Sequence, residues 1–141
     1  MKRFIPAIFL LAAIPLLVAM GSLQGPASPD KIPVTAKKFI ATFVDQMDVV
    51  AECRDVSIEG NTFLEGKRGE GNYTISFDNI EHVSFRMKAE QLIGTVKLRD
   101  GSTSELVLGK SQKAYGRTQH GTFQIKLADL KKLSFGVSPQ R

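Results

Sequence analysis

The chain has one cysteine, Cys53, among its 141 residues. A single thiol excludes an intramolecular disulfide, the zinc patterns built on paired cysteines and a covalent haem of the C-x-x-C-H kind. Set in AECRDVSI at strand-like spacing, Cys53 reads as a small buried residue, with a reactive or intermolecular thiol as the alternative. Histidine is almost as scarce: His82 and His120 stand alone and far apart, and both read as exposed strand-end or loop residues rather than a metal pair.

The motifs of common chemistry are missing too. There is no G-x-S-x-G, no G-x-x-x-x-G-K-[ST], no H-E-x-x-H and no EF-hand loop. GKRGEG, residues 66–71, has the look of a phosphate-cradling loop but lacks the apolar helix that must follow one. Asp78 and Asp129 invite a reading as paired acids, yet short acidic residues are what a turn needs to bond nearby amides, and no base or nucleophile stands beside them. Tyr73, Tyr115, Phe63 and Phe123 read as core or cross-strand aromatics before they read as a ligand groove. No catalytic residue, metal ligand or cofactor site is assigned, and the chain is expected to be no enzyme.

The charge is mildly basic. The formal net charge is +5, from 19 Lys and Arg against 14 Asp and Glu. Subtracting Lys2 and Arg3 from the 19 leaves 17 and a balance of +3. The cations are dispersed along the chain, which marks solvated faces more than a nucleic-acid stripe.

What the sequence does have begins at its first residues. Lys2 and Arg3 precede an apolar run over residues 4–20, and small residues, Gly25, Pro26 and Pro29 follow. That is the layout of a secretory signal peptide; the alternative is an uncleaved anchor, the run being near the lower limit of about 17 residues for a spanning helix. Both place the remainder outside the cytoplasm, in the periplasm or cell envelope of a bacterium. No cysteine follows the run where a lipid could be attached. Residues 1–21 are therefore expected to be signal or anchor, and 22–34 a linker.

The rest repeats itself. GNYTISFDNIEHVSF at 71–85 returns as GTFQIKLADLKKLSF at 121–135. Tyr73, Ile75 and Phe77 alternate with polar residues as a half-buried strand does, then Ile80 and Val83 follow at intervals of three before Phe85 restores the two-residue step. The spacing predicts a strand, one tight turn at Asp78-Asn79 and again at Asp129, and a second strand. Gly71 and Gly121 open the units, as a positive-φ turn or a close backbone approach would require.

Upstream, Gly66-Lys67 pairs with Gly116-Arg117, and Val56 and Ile58 with Leu106 and Leu108. VKLRDGSTSELVL is a hairpin around Asp100-Gly101. A matching hairpin is predicted from KKFIATFV and VVAECRDVSI around residues 45–48, although Phe39, Ile40, Phe43, Val44 and Met47 also fit a helical stripe. The predicted fold is all-β: two similar five-stranded units, 35–88 and 89–137, offset by 50 residues and packed side by side as a small fused barrel or sandwich after the N-terminal signal helix.

Strand order and the late helical turn, with LRDGS, YGRTQHG and IKLADLKKLSF, resemble small SH3-like or Sm-like barrels and the short exported β-modules of uncharacterised bacterial envelope proteins. The resemblance spans most of residues 35–137 and carries over no residue of known function. The export signal, the duplicated barrel-like units and the lack of a catalytic constellation point to a module that binds or scaffolds an envelope protein or polysaccharide, capturing an extended peptide on a sheet edge, with Lys37, Lys38, Lys131 and Lys132 blunting that edge. The alternatives are nucleic-acid or other anionic-polymer binding through basic strand faces, disfavoured by export, and a hydrolase whose site is assembled from distant residues.

Overall fold

The computed structural model describes residues 32–136. The expected signal or anchor over 1–21 and most of the linker lie outside the described residues. Ten strands fill the rest: β1 (Ile40–Asp45), β2 (Val50–Ile58), β3 (Phe63–Arg68), β4 (Gly71–Ser76), β5 (Ile80–Lys88), β6 (Gln91–Leu98), β7 (Thr103–Leu108), β8 (Lys113–Arg117), β9 (Thr122–Lys126) and β10 (Leu130–Phe135). Among the described residues there is no α-helix. The helical pieces among those residues are two 3-10 turns, Phe77–Asn79 before β5 and Leu127–Asp129 before β10.

Those turns sit where the apolar spacing switches from two to three. In the first, Ser76 is the cap, its hydroxyl accepting from the Asp78 amide at 3.2 Å. In the second, Lys126 holds that place and gives no side-chain bond. Each turn drives one large apolar residue inward: Phe77 and Leu127 are both fully buried.

Residues 39–47 are strand and turn, not helix. Phe39, Ala41 and Phe43 are buried in alternation, whereas a helical face would also have buried Met47, which is 82% exposed. The alternating pattern wins because β1 is paired on both sides, with β2 through Phe43–Ala51 and with β10 through Phe43–Leu133.

All strand pairs are antiparallel and belong to one sheet, in the order β4-β3-β7-β6-β5-β10-β1-β2-β8-β9. Buried apolar residues from nine of the strands form one cluster, against which Phe123 and Ile125 of β9 pack partly buried. A sheet with no covering layer can bury a whole face only by curling round it. The result is a curled half-barrel. Two independently paired units side by side are not what is found: the β3–β4 hairpin docks on β7, and the β8–β9 hairpin docks on β2. Loop closure of this kind joins residues far apart in sequence, and β5 and β10 meet at the centre through Val83–Leu133.

The order has a regularity of its own. Adding five to each of β4-β3-β7-β6-β5, and counting on from β10 to β1 and β2, gives β9-β8-β2-β1-β10, the other half of the sheet read from its far end. Each half is thus ordered fourth, third, second, first and fifth strand, with the first two taken from the other stretch of chain.

The register corrects the sequence pairing of strands two. Cys53 faces Ala41 in β1, and Leu106 faces Gly94 in β6. Across the other side, an added Cβ at Gly116 would meet Cys53 at 2.5 Å, and one at Gly66 would meet Leu106 at 2.9 Å. Leu106 therefore matches Cys53, not Val56. The offset differs because β2 is bulged after Arg54, with Asp55 at φ 54°, which adds a residue that β7 does not have. Gly71 and Gly121 need neither a positive φ nor close contact; the left-handed turn glycines are neighbours such as Gly69.

Candidate functional site

Among the described residues the two outer strands, β4 and β9, are each paired on one side only. Every residue of β4 is matched to β3, from Phe63–Ser76 to Arg68–Gly71, so its other flank presents backbone groups without a strand partner among those residues. The four lysines expected to protect an edge are elsewhere: Lys131 and Lys132 lie in the central strand β10, and Lys37 and Lys38 lead into the equally central β1. The GNYTIS of β4 carries no charge at all, whereas β9 ends on Lys126.

Beside the free flank of β4 lies a groove of about 350 Å³, with Tyr73, Ile75 and Ser76 on one wall, Asn79 at its end, and Leu98, Arg99 and Asp100 on the other. Its walls are held in place from both sides. The Arg99 amide donates to the Asn79 carbonyl at 2.9 Å, and the Arg99 guanidinium to the Phe135 carbonyl at 3.4 Å. Asp100 accepts from the Ser102 hydroxyl at 2.6 Å and amide at 2.9 Å, which keeps its carboxyl below its ordinary value and ionised. Gly101, at φ 95°, closes the hairpin predicted at Asp100-Gly101. Next to the groove, the Lys37 ammonium bonds the Asp78 carboxylate and lowers its pKa; the Ser76 hydroxyl and the Arg99 charge act in the same direction, burial against it. Arg68 stacks over the Tyr73 ring at 5.6 Å.

The matching place in the other half is built on the same backbone frame. The Asp45 amide donates to the Val49 carbonyl as Leu98 does to Ser102, and Gln46 to Asp129 as Arg99 does to Asn79. Asp48, at φ 66°, stands where Gly101 stands. The side chains differ in kind. Arg99, Asp100, Ser102 and Thr103 are replaced by Gln46, Met47, Val49 and Val50, while Leu98 and Gly101 give way to Asp45 and Asp48.

The remaining sequence candidates are dispersed. Asp78 and Asp129 occupy the two 3-10 turns in opposite halves of the sheet. His82 is not at a strand end but within β5, half-buried between Lys97 and Ser134. Burial first, and then the Lys132 and Lys97 charges, lower its pKa, while Glu81 raises it. His120 is exposed in the β8–β9 loop. Among the described residues no three His, Cys, Asp or Glu side chains gather as a metal site. Cys53 is buried, and desolvation pushes its thiol up to about 11, the reverse of what a reactive cysteine needs. Phe123 packs edge-on to Phe43 at 5.4 Å, and Tyr73 lies against the core. GKRGEG is the β3–β4 hairpin, with no helix behind it. The groove was missed in the sequence because its two walls lie some 25 residues apart and meet only through the docking of the β3–β4 hairpin on β7.

A family model described as "Uncharacterised protein" matches residues 35–137. No curated protein and no solved structure matches the chain.

Proposed function

Since the chain belongs to that family of uncharacterised proteins, we propose from its own geometry that it is a non-enzymatic binding module, exported to the cell envelope, that captures an extended peptide segment of an envelope protein along β4. The observation that carries this reading is the uncharged, one-sided strand β4 running beside a preformed groove. An added strand gains main-chain hydrogen bonds along 71–76, and alternate side chains reach the groove, where Tyr73 and Leu98 offer apolar surface and Arg99 and Asp100 a polar rim. A groove of about 350 Å³ is at the small end of ligand sites, in keeping with one or two side chains rather than a whole cofactor.

Export rests on Lys2, Arg3 and the apolar run of 4–20. The regular strand order, with the two similar phrases at 71–85 and 121–135, supports duplication of one five-stranded unit. The order fourth, third, second, first, fifth within each half favours the SH3-like or Sm-like comparison, with the first two strands exchanged between units.

A displayed library of linear peptides selected on the full chain tests the binding reading. Selected peptides are expected to slow amide exchange at 71–76 and to lose binding to Thr74→Lys. Peptides that protect other strands, or bind the variant equally, would refute it.

A further inference from the structure

Alternation sends one set of strand residues into the core and the other onto the convex outer face of the sheet. The register gathers on that face cations that are scattered in the sequence. On three adjacent central strands, Lys97 of β6 faces His82 of β5, which faces Ser134 of β10; one step along, Thr95 faces Ser84, which faces Lys132. This contiguous block holds basic groups and hydroxyls and no acid. Neither Lys97 nor Lys132 has an ion-pair partner among the described residues. The nearest acid across the strands, Glu105 beside Thr95, is taken by Arg86 at 3.3 Å. Both lysine charges reach His82 and, after burial, hold its pKa down, while Glu81 raises it.

The same face carries a second group. Ile40 faces Arg54, and Arg54 faces Arg117 across the β2–β8 pair. A groove of about 260 Å³ opens beside them, lined also by Glu52 and Gln119. Arg117 pairs with Asp55 at 3.6 Å, whereas Arg54 reaches only the Thr118 carbonyl, at 3.5 Å. Thr42, between Ser134 and Glu52, joins the two groups. Strands β10 and β1 lie between β5 and β2, so three strand spacings of about 4.8 Å put the groups about 14 Å apart along the sheet. Like charges on opposed residues cost stability. Cations kept opposite one another against that cost mark a surface shaped by something other than folding.

We propose that an extended anionic polysaccharide binds across this convex face, its acid groups held by Lys97, His82 and Lys132 at one end and by Arg54 and Arg117 at the other. The spacing asks for a chain, since no single small anion reaches both groups. The residues between are Ser84, Ser134 and Thr42, hydroxyls suited to sugar hydroxyls, where a single-stranded nucleic acid needs aromatic rings to stack on. A convex face meets a planar anionic membrane only along a narrow strip, whereas an extended chain follows the curve. Glu52 stands beside the path and repels the polymer.

Titration calorimetry of the full chain with heparin and with polygalacturonate, and with dextran as the uncharged control, tests the proposal between about 50 and about 200 mM salt. Both anionic polymers should bind, less tightly as salt rises, and dextran should not. Lys97→Gln with Lys132→Gln should weaken binding at least about tenfold and flatten its salt dependence. Lys37→Gln with Lys110→Gln, which removes the same charge outside the strands, should leave it within about twofold. Glu52→Gln should tighten binding, a gain that misfolding does not imitate. Heparin should also raise the His82 pKa, read from its ring protons by NMR. Equal losses in the two double variants, weaker binding by Glu52→Gln, or a wild-type chain that prefers single-stranded DNA or anionic lipid vesicles to both polysaccharides would overturn it.

Discussion

Gly116 lies so close to Cys53 across the β8–β2 pair that a Cβ on the glycine would stand 2.5 Å from the cysteine Cβ and 3.0 Å from its sulfur. A similar close approach recurs in the other half, where a Cβ on Gly66 would stand 2.8 Å from the Leu108 Cδ2 and 2.9 Å from the Leu106 Cβ. Each docked hairpin thus meets the neighbouring second strand through a glycine, and the absence of a side chain lets the two backbones approach.

Gly116→Ala should therefore destabilise the fold by about 1–3 kcal/mol through overpacking, measured as the shift in urea midpoint. Because the nearest atom is the Cys53 Cβ, Cys53→Ala in the same chain should not restore stability. Restoration by that second change would show that the sulfur, not the strand spacing, sets the constraint.

How much of this was legible beforehand depends on the range of the contact. The strand, turn, strand unit at 71–85 and 121–135 was readable because alternation and the three-residue step are local, and both 3-10 turns formed where Asp78 and Asp129 marked them. Lys131 and Lys132 misled, since nothing local in LKKLSF reveals that β10 has neighbours on both sides. The exchange of hairpins between halves was invisible for the same reason, and with it the groove between β4 and Arg99. The glycines Gly66 and Gly116 pair at the 50-residue offset in the sequence, yet the bulge at Asp55 hides the contacts they make with Leu106 and Cys53.

Ser57 carries the opposite lesson. It is fully buried opposite Tyr115, and among the described residues its hydroxyl has no hydrogen-bond partner. A buried hydroxyl without a partner costs about 1–3 kcal/mol in desolvation, so Ser57→Ala should be neutral or stabilising. A fall in thermal midpoint for that variant would count against this account.

His82 predicts a pH dependence. Burial and the Lys132 and Lys97 charges hold its pKa below the ordinary 6.5, with Glu81 opposing them. Between the folded value and 6.5 the unfolded chain binds more protons than the folded one, so this residue makes stability rise with pH across that window, and outside it, where both states are protonated or both neutral, it adds no slope. Urea midpoints at pH 8 and pH 5 should differ less in His82→Gln than in the wild type. An unchanged difference would assign the pH dependence to other groups.

Thr74 is exposed, at the middle of an edge strand that carries no charge, and faces Glu65 on its paired side. Thr74→Lys should leave the fold within about 0.5 kcal/mol of the wild type, since it is a surface change away from any cap or core contact. Its effect should fall on the free flank, where a lysine discourages the approach of another strand. The expected outcome is an unchanged thermal midpoint with loss of the selected peptides, read by titration calorimetry against both chains. Lys126 already gives β9 a charge of this kind, so peptides should prefer β4. Equal occupancy of both edges by the same peptides would mean that backbone groups alone decide binding, and that the groove beside Tyr73 and Arg99 contributes no selection.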